Sequence, residues 1–191
     1  AWVFPAWLVN AGHGQNGFFT AAAVGGAMLL ERRPWLAGMC LGTLVCKPHL
    51  GVLVPVLLLT ARRWRVLGGA CLSGGGLLVA SWAVLGGDSW LGFLESIQLS
   101  RVVLEDGMMG PGRMVSVFAA VQVLGGSLGV AYWGQLAATL VVATLLAFAV
   151  ARRPGAMAEG ALLAAATPLA TPYVFDYDLT WLALPLLWCA G

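Results

Sequence analysis

The chain has 191 residues, of which 60% are hydrophobic and 9% charged, with a formal net charge of +2 and a mean hydropathy of +0.89. A soluble domain carries about 25% charged residues, so the composition excludes an ordinary soluble fold. Nucleic-acid binding is excluded as well, because the basic residues stand in bounded clusters and not along a stripe.

Three clusters punctuate the chain: Glu31-Arg32-Arg33-Pro34, Arg62-Arg63-Trp64-Arg65 and Ala151-Arg152-Arg153-Pro154. They hold seven of the ten Lys and Arg. Short cytoplasmic loops of membrane proteins collect these residues, so the three turns are expected to be cytoplasmic. Most of the acids and the remaining cations, Lys47, Arg101 and Arg113, are placed on or near the opposite face. The expected fold class is all-α, a polytopic bundle of membrane helices forming a single transmembrane domain over residues 1–191. The four cysteines sit in apolar segments without CxxC spacing or a histidine at zinc-ligand spacing. They read as small buried hydrophobes, and no disulfide, metal or cofactor is expected.

In chain order, residues 1–9 read as the end of a helix. The chain opens with Ala1 inside an apolar run, and is expected to be an internal or C-terminal piece of a longer protein. Gly12-His13-Gly14-Gln15-Asn16-Gly17 is a polar break. An apolar helix over 18–30 follows, ending at the first arginine turn. Residues 35–46 and 50–61 are apolar legs separated by Lys47-Pro48-His49. Each leg has 12 residues, roughly 18 Å at 1.5 Å per residue, against a hydrocarbon core of about 30 Å. Neither leg spans. Because arginine turns flank both, the charge rule favours a short hairpin with Lys47-Pro48-His49 at its tip, below the outer surface. The rival is one helix kinked at Pro48, with its arginine ends on opposite sides.

Residues 66–85 read as a full span ended by Gly86-Gly87-Asp88. Residues 90–104 carry Trp90, Phe93, Leu94, Ile97 and Leu104 at helical spacing, as in a helix lying in the interface plane. Residues 105–113 form a loop, 115–124 a short helix, and 128–150 a span back to the third arginine turn. The last part repeats the short-leg pattern. A leg over 161–172 leads to Tyr173-Val174-Phe175-Asp176-Tyr177-Asp178, and 179–190 returns.

Lys47 is the strongest single candidate for chemistry. An intramembrane charge costs roughly 2.5–3.5 kcal/mol on insertion scales and marks a functional site by default. It reads as a cation for a phosphate; the alternative is a lysine snorkelling to water. Asp176 and Asp178, read as two carboxylates on an extended tip, point the same way. They suit a divalent ion, a general base or a sugar hydroxyl, or merely a solvated loop, and the pair alone is a weak metal signature. Gln15 and Asn16 offer amides to sugar hydroxyls, or Asn16 simply caps the next helix. His13 and His49 add titratable rings. In the outer loop Arg113, after Gly110-Pro111-Gly112, is the most suggestive charge. No Walker motif, nucleophile elbow, HExxH or dinucleotide fingerprint occurs.

Three stretches together resemble glycosyltransferase family 87, the polyprenol-phosphate-mannose-dependent mannosyltransferases and their GT-C relatives. They are Gly14-Gln15-Asn16-Gly17-Phe18, the run from Trp35-Leu36-Ala37-Gly38 to Cys46-Lys47-Pro48-His49-Leu50-Gly51, and Ala170-Thr171-Pro172-Tyr173-Val174-Phe175-Asp176-Tyr177-Asp178. The resemblance implies a multi-pass protein of a bacterial plasma membrane. It implies transfer of a sugar, mannose or an arabinose-like one, from a polyprenyl-phosphate donor to a glycolipid or glycan acceptor on the extracytoplasmic side. It also implies a catalytic Asp in an outer loop upstream of residue 1. His49 stands where the family often has Gln, and His13 is also atypical.

On this reading a carboxylate deprotonates the acceptor hydroxyl, while Lys47 or Arg113 stabilises the leaving phosphate. Gln15, Asn16, His49, Asp176 and Asp178 then line the substrate. Two other classes stay open. Broken helices with polar tips also suit a transporter, which inverted repeats would favour and of which the sequence shows none. A non-catalytic lipid-binding subunit is the third.

Overall fold

The computed structural model describes residues 4–105 and 114–190. The named elements are α1 (Pro5–Gly12), α2 (Gly17–Leu29), α3 (Pro34–Gly42) continued by a 3₁₀ turn (Thr43–Cys46), α4 (Val54–Thr60), α5 (Trp64–Glu105), α6 (Val117–Val123), α7 (Leu128–Ala151), α8 (Ala156–Ala170), a 3₁₀ helix (Asp176–Leu182) and α9 (Ala183–Ala190). Among the described residues the extended pairing is one isolated bridge, Met114 to Phe175. α5 and α7 are long and apolar enough to cross a membrane. The chain is an all-α membrane helical protein.

α5 is not one rod. Gly86 has φ 78° and ψ 168°, a conformation open to glycine and closed to most other residues. It divides 64–85 from 87–105, where the Gly86-Gly87-Asp88 signal predicted the end of a span. Residues 64–85 measure roughly 33 Å and α7 roughly 36 Å at 1.5 Å per residue, enough for a core of about 30 Å. Beyond the break Leu91, Phe93, Leu94 and Ile97 are exposed, which suits a segment lying along an interface.

The three arginine turns meet at one end of the bundle. Arg63 grips Glu159 with two bonds, Nε to Oε2 at 2.6 Å and Nη2 to Oε1 at 2.9 Å. Pro34, Arg62 and Arg153 border one cavity there, and Glu31 and Arg63 another. Both ends of the α3–α4 unit therefore lie together, which is the hairpin and not the kinked single helix. Glu159, outside the three turns in sequence, joins them in space. Its carboxylate is 4% exposed, and a buried carboxylate needs a cation beside it.

The hairpin differs from its prediction in the second leg. Residues 48–53 stay in turns, with Leu50 N bonded to Lys47 O at 2.9 Å and Val54 N to Gly51 O at 3.0 Å. α4 starts only at Val54, with Pro55 in its first turn, where the missing N–H costs nothing. The first leg lies against α5 at backbone distance. A Cβ on Gly38 would stand 2.0 Å from Val66 O, and one on Gly42 2.3 Å from Ala70 O. This Gly-x3-Gly seam is the membrane form of close helix packing, and Ser73 Oγ reinforces it by donating to Met39 O at 2.9 Å.

The core gathers Val24 and Met28 of α2, Leu41 of α3, Leu57 and Leu58 of α4, Leu146 and Val150 of α7 and Leu163 of α8. Trp181 closes it at the far end, fully buried, with Nε1 donating to Thr20 Oγ1 at 2.9 Å. α8 begins five residues ahead of the predicted leg, directly after Gly155 at φ 97°. The extended tip expected at 176–178 is instead a 3₁₀ helix, so Asp176 and Asp178 do not point the same way.

Candidate functional site

The end opposite the arginine turns is where the polar residues of the sequence come together. Lys47 is put there by the short first leg and by the turn that Pro48 starts. Its side chain is only 12% exposed, and the ammonium pairs with Asp178 Oδ1 at 2.7 Å, across 131 residues of chain. The Asp178 side chain is 1% exposed, and its other oxygen accepts from Phe175 N at 3.3 Å. That second bond comes from the cap of the 3₁₀ helix, so the local fold orients the carboxylate towards the hairpin tip.

Tyr177 is the hub. Lys47 Nζ lies 4.7 Å from the centre of its ring, a cation–π contact. His13 approaches the same ring at 6.3 Å between centroids, and Phe175 stacks on it at 5.4 Å with 8° between planes. Burial, and then the carboxylates of Asp178 and Asp176, push the Tyr177 phenol up to about 12. The Tyr177 carbonyl closes on the glycine-rich break from the other side. A Cβ on Gly17 would stand 2.8 Å from it and 2.6 Å from Asn10 Oδ1, so only glycine fits.

Asn10 does what the sequence assigned to Asn16. Asn16 makes no capping bond with its side chain; the first amide of α2, Gly17 N, donates instead to Asn10 Oδ1 at 3.0 Å. Asn10 is fully buried, and its Nδ2 has no partner among the described residues, nor has the buried Nε2 of His49. The His49 ring can offer or accept one hydrogen bond at Nε2 according to its tautomer.

A second polar group stands on the same end. Arg101 Nε donates to Glu105 Oε1 at 2.6 Å, Tyr132 OH donates to the same oxygen, and Tyr132 and Tyr173 share a hydrogen bond at 2.7 Å. The Tyr132 bond, then the Arg101 bond, hold the Glu105 carboxyl below the usual range. Val115 N donates to Val174 O at 2.8 Å, which ties the residues just before α6 to the stretch leading into the 3₁₀ helix.

The structure thus brings Lys47, His49 and Asp178 to one place, with the break at 13–17 beside them through Tyr177. Gln15 and Asn16 are exposed on that break. Asp176 is partly buried and accepts from Tyr177 N at 2.8 Å. With Asp178 bound to Lys47 and Phe175 N, the two carboxylates are not turned to one shared ion. Arg113 lies outside the described residues. Asn10, Thr20 and Tyr132 were not singled out from sequence. The signal available for Asn10 was an amide inside an apolar helix, seven residues before the glycine that must bury its N–H.

Residues 1–172 match the family model of glycosyltransferase family 87. The chain belongs to that family and is a membrane glycosyltransferase. The match takes in the glycine-rich break and the hairpin tip and stops before Tyr173. No curated protein and no solved structure matches the chain.

Proposed function

We propose that this end of the protein receives the phosphate and sugar of a polyprenyl-phosphate donor, with mannose as the sugar, and faces the extracytoplasmic side. The observation that carries the reading is the meeting of a near-buried lysine, an unpartnered imidazole nitrogen and the glycine-rich break at the tip of a hairpin too short to cross a bilayer. A lipid-linked phosphate arrives at that depth; a soluble sugar nucleotide does not. The tip also adjoins an apolar groove of about 400 Å³ running from Val45 and Cys46 along Leu77, Leu78 and Leu85 to Trp90 and Phe93, which suits an isoprenoid chain leading to Lys47.

The chemistry is a displacement at the anomeric carbon. The acceptor hydroxyl oxygen forms the new glycosidic bond as the bond from carbon to phosphate oxygen breaks. The electron pair leaves with the phosphate, and the hydroxyl proton goes to a carboxylate base. Lys47 and Arg113 take the role of cations at the departing phosphate. Lys47 has three N–H donors and spends one on Asp178, which leaves two for phosphate oxygens. Asp178 acts here by aiming Lys47, while His49, Gln15, Asn16 and Asp176 are offered to sugar hydroxyls. No metal enters this scheme.

Lys47→Gln in the full-length enzyme tests it. Loss of one charge-assisted contact costs about 1.5–3 kcal/mol, roughly tenfold to a hundredfold in kcat/KM for the lipid donor. If Lys47 meets charge that develops only on the leaving phosphate, kcat falls with it. Lys47→Arg is expected to retain part of the activity, since the guanidinium keeps the charge in a different shape. A Lys47→Gln enzyme that inserts normally and keeps its donor kinetics would overturn the assignment.

A further inference from the structure

The arginine end, away from Lys47, encloses a cavity of about 580 Å³. Arg62, Arg63, Arg65 and Arg153 line it together with Glu159. Arg63 is committed to Glu159 by its two short bonds. That leaves Arg62, Arg65 and Arg153 around one space, and among the described residues none of them has a carboxylate within ion-pair distance. All three are exposed, and like charges gathered around one space set up a positive potential that attracts an anion.

The backbone adds to the same field. α3 starts at Pro34, α5 at Trp64 and α8 directly after Gly155, and all of these residues border the cavity. Each helix start presents free N–H groups and roughly half a positive charge, and neither α3 nor α8 has a side-chain cap. Arg62 and Arg153 hold φ of 54° and 53°, the left-handed region that residues with a side chain rarely adopt. The rim is aromatic: Trp64 lines the cavity and is 60% exposed, the placement of a tryptophan at headgroup level.

We propose that this cavity binds the phosphate headgroup of an anionic phospholipid from the leaflet at the arginine end, with Arg62, Arg65 and Arg153 as its cations. A free phosphate ion shares the chemistry; the exposed Trp64 at the rim favours the lipid. The site is independent of the donor site and of the sugar transferred.

Native mass spectrometry of the full-length protein, with phosphatidylglycerol or phosphatidylcholine titrated in, tests the proposal. Phosphatidylglycerol is expected to bind at least tenfold more tightly than phosphatidylcholine. Arg62→Gln/Arg65→Gln/Arg153→Gln removes that preference. Arg32→Gln/Arg33→Gln/Arg152→Gln removes as many charges from the same end, outside the cavity, and is expected to change it less than twofold. Should the first triple variant fail to fold, Arg65→Gln and Arg153→Gln singly are each expected to weaken phosphatidylglycerol several-fold. Inorganic phosphate at tens of millimolar leaves the lipid bound. Equal losses in the two triple variants, or no preference between the lipids, would show diffuse surface charge only. Displacement by inorganic phosphate would make it a free-anion site. Either result defeats the proposal.

Discussion

The Lys47–Asp178 pair gives the sharpest stability test, because its two partners are so unequal in exposure. Asp178→Asn keeps an oxygen for Phe175 N and nearly the same volume, and removes only the charge. Lys47 is then left 12% exposed, with the Tyr177 ring at 4.7 Å as its remaining electrostatic contact. A desolvated charge stripped of its partner costs about 3–5 kcal/mol, and a cation–π contact returns about 0.5–2. The expected net loss is about 1–4.5 kcal/mol, a factor of roughly five to two thousand in the unfolding constant. The double variant Lys47→Met/Asp178→Asn leaves no lone charge, and is expected to recover part of the loss, with a coupling of about 1–3 kcal/mol. Equilibrium unfolding in mixed micelles, followed by Trp fluorescence, measures both. If each single variant loses under about 0.5 kcal/mol and the two effects add, the pair is screened by water and the hairpin tip is not clamped.

Other positions follow from the same geometry. Gly17→Ala drives a methyl against Asn10 and the Tyr177 carbonyl and is expected to cost about 1–3 kcal/mol and most of the transferase activity. Normal thermal stability would show that the break relaxes freely. Glu159→Gln is expected to cost about 1–2 kcal/mol, less than a fully buried pair, because the Arg63 side chain is 29% exposed; melting temperature reads it. In a cysteine-free background, cysteines at 32, 63 and 152 are expected to label from the cytoplasm and those at 88, 105 and 176 from outside, whereas labelling of 32 and 63 from opposite sides would refute the hairpin. In an alkaline titration at 295 nm Tyr177 is expected to ionise only near 12. The folded phenol keeps its proton after the unfolded one has lost it near 10, so stability falls between about pH 10 and 12.

The parts of this fold legible in the sequence were those set by charge and by backbone chemistry. Arginine turns collected at one end because inserting them elsewhere costs energy, and Gly86 broke α5 because a residue in that conformation cannot continue a helix. The tip at Lys47 followed from leg length together with the arginine turns that flank both legs. What stayed hidden depended on long-range pairing. Asp178 read as half of a pair with Asp176 because spacing along an extended chain suggested it. The fold makes a 3₁₀ helix there and gives Asp178 to a lysine 131 residues away. Asn10 was passed over because it sits inside an apolar run. Its value comes from the Gly17 amide it satisfies, a partner that period-based reading along one helix does not supply.

Two ion pairs hold the α3–α4 hairpin, one at each end, and both partners belong to the same later stretch of chain. Glu159 lies in the first turn of α8 and meets Arg63 at the hairpin's base. Asp178 lies eight residues past the end of α8 and meets Lys47 at the tip. α8 and the residues 171–177 that follow it therefore join the base of the hairpin to its tip. Along α5, Gly42 packs against Ala70 and Gly74, and Val45 and Cys46 share a groove with Leu77 and Leu78. The hairpin tip is thus recessed below Gly86, where that span ends, and the apolar groove beside Cys46 continues past it to Leu85, Trp90 and Phe93. Lengthening α8 by one turn, through four alanines after Ala161, would shift Asp178 by roughly 6 Å and separate it from Lys47 without substituting either residue. Loss of transfer with retained Arg63–Glu159 stability is the expected result. Unchanged transfer would mean that the chemistry does not depend on the Lys47–Asp178 pair.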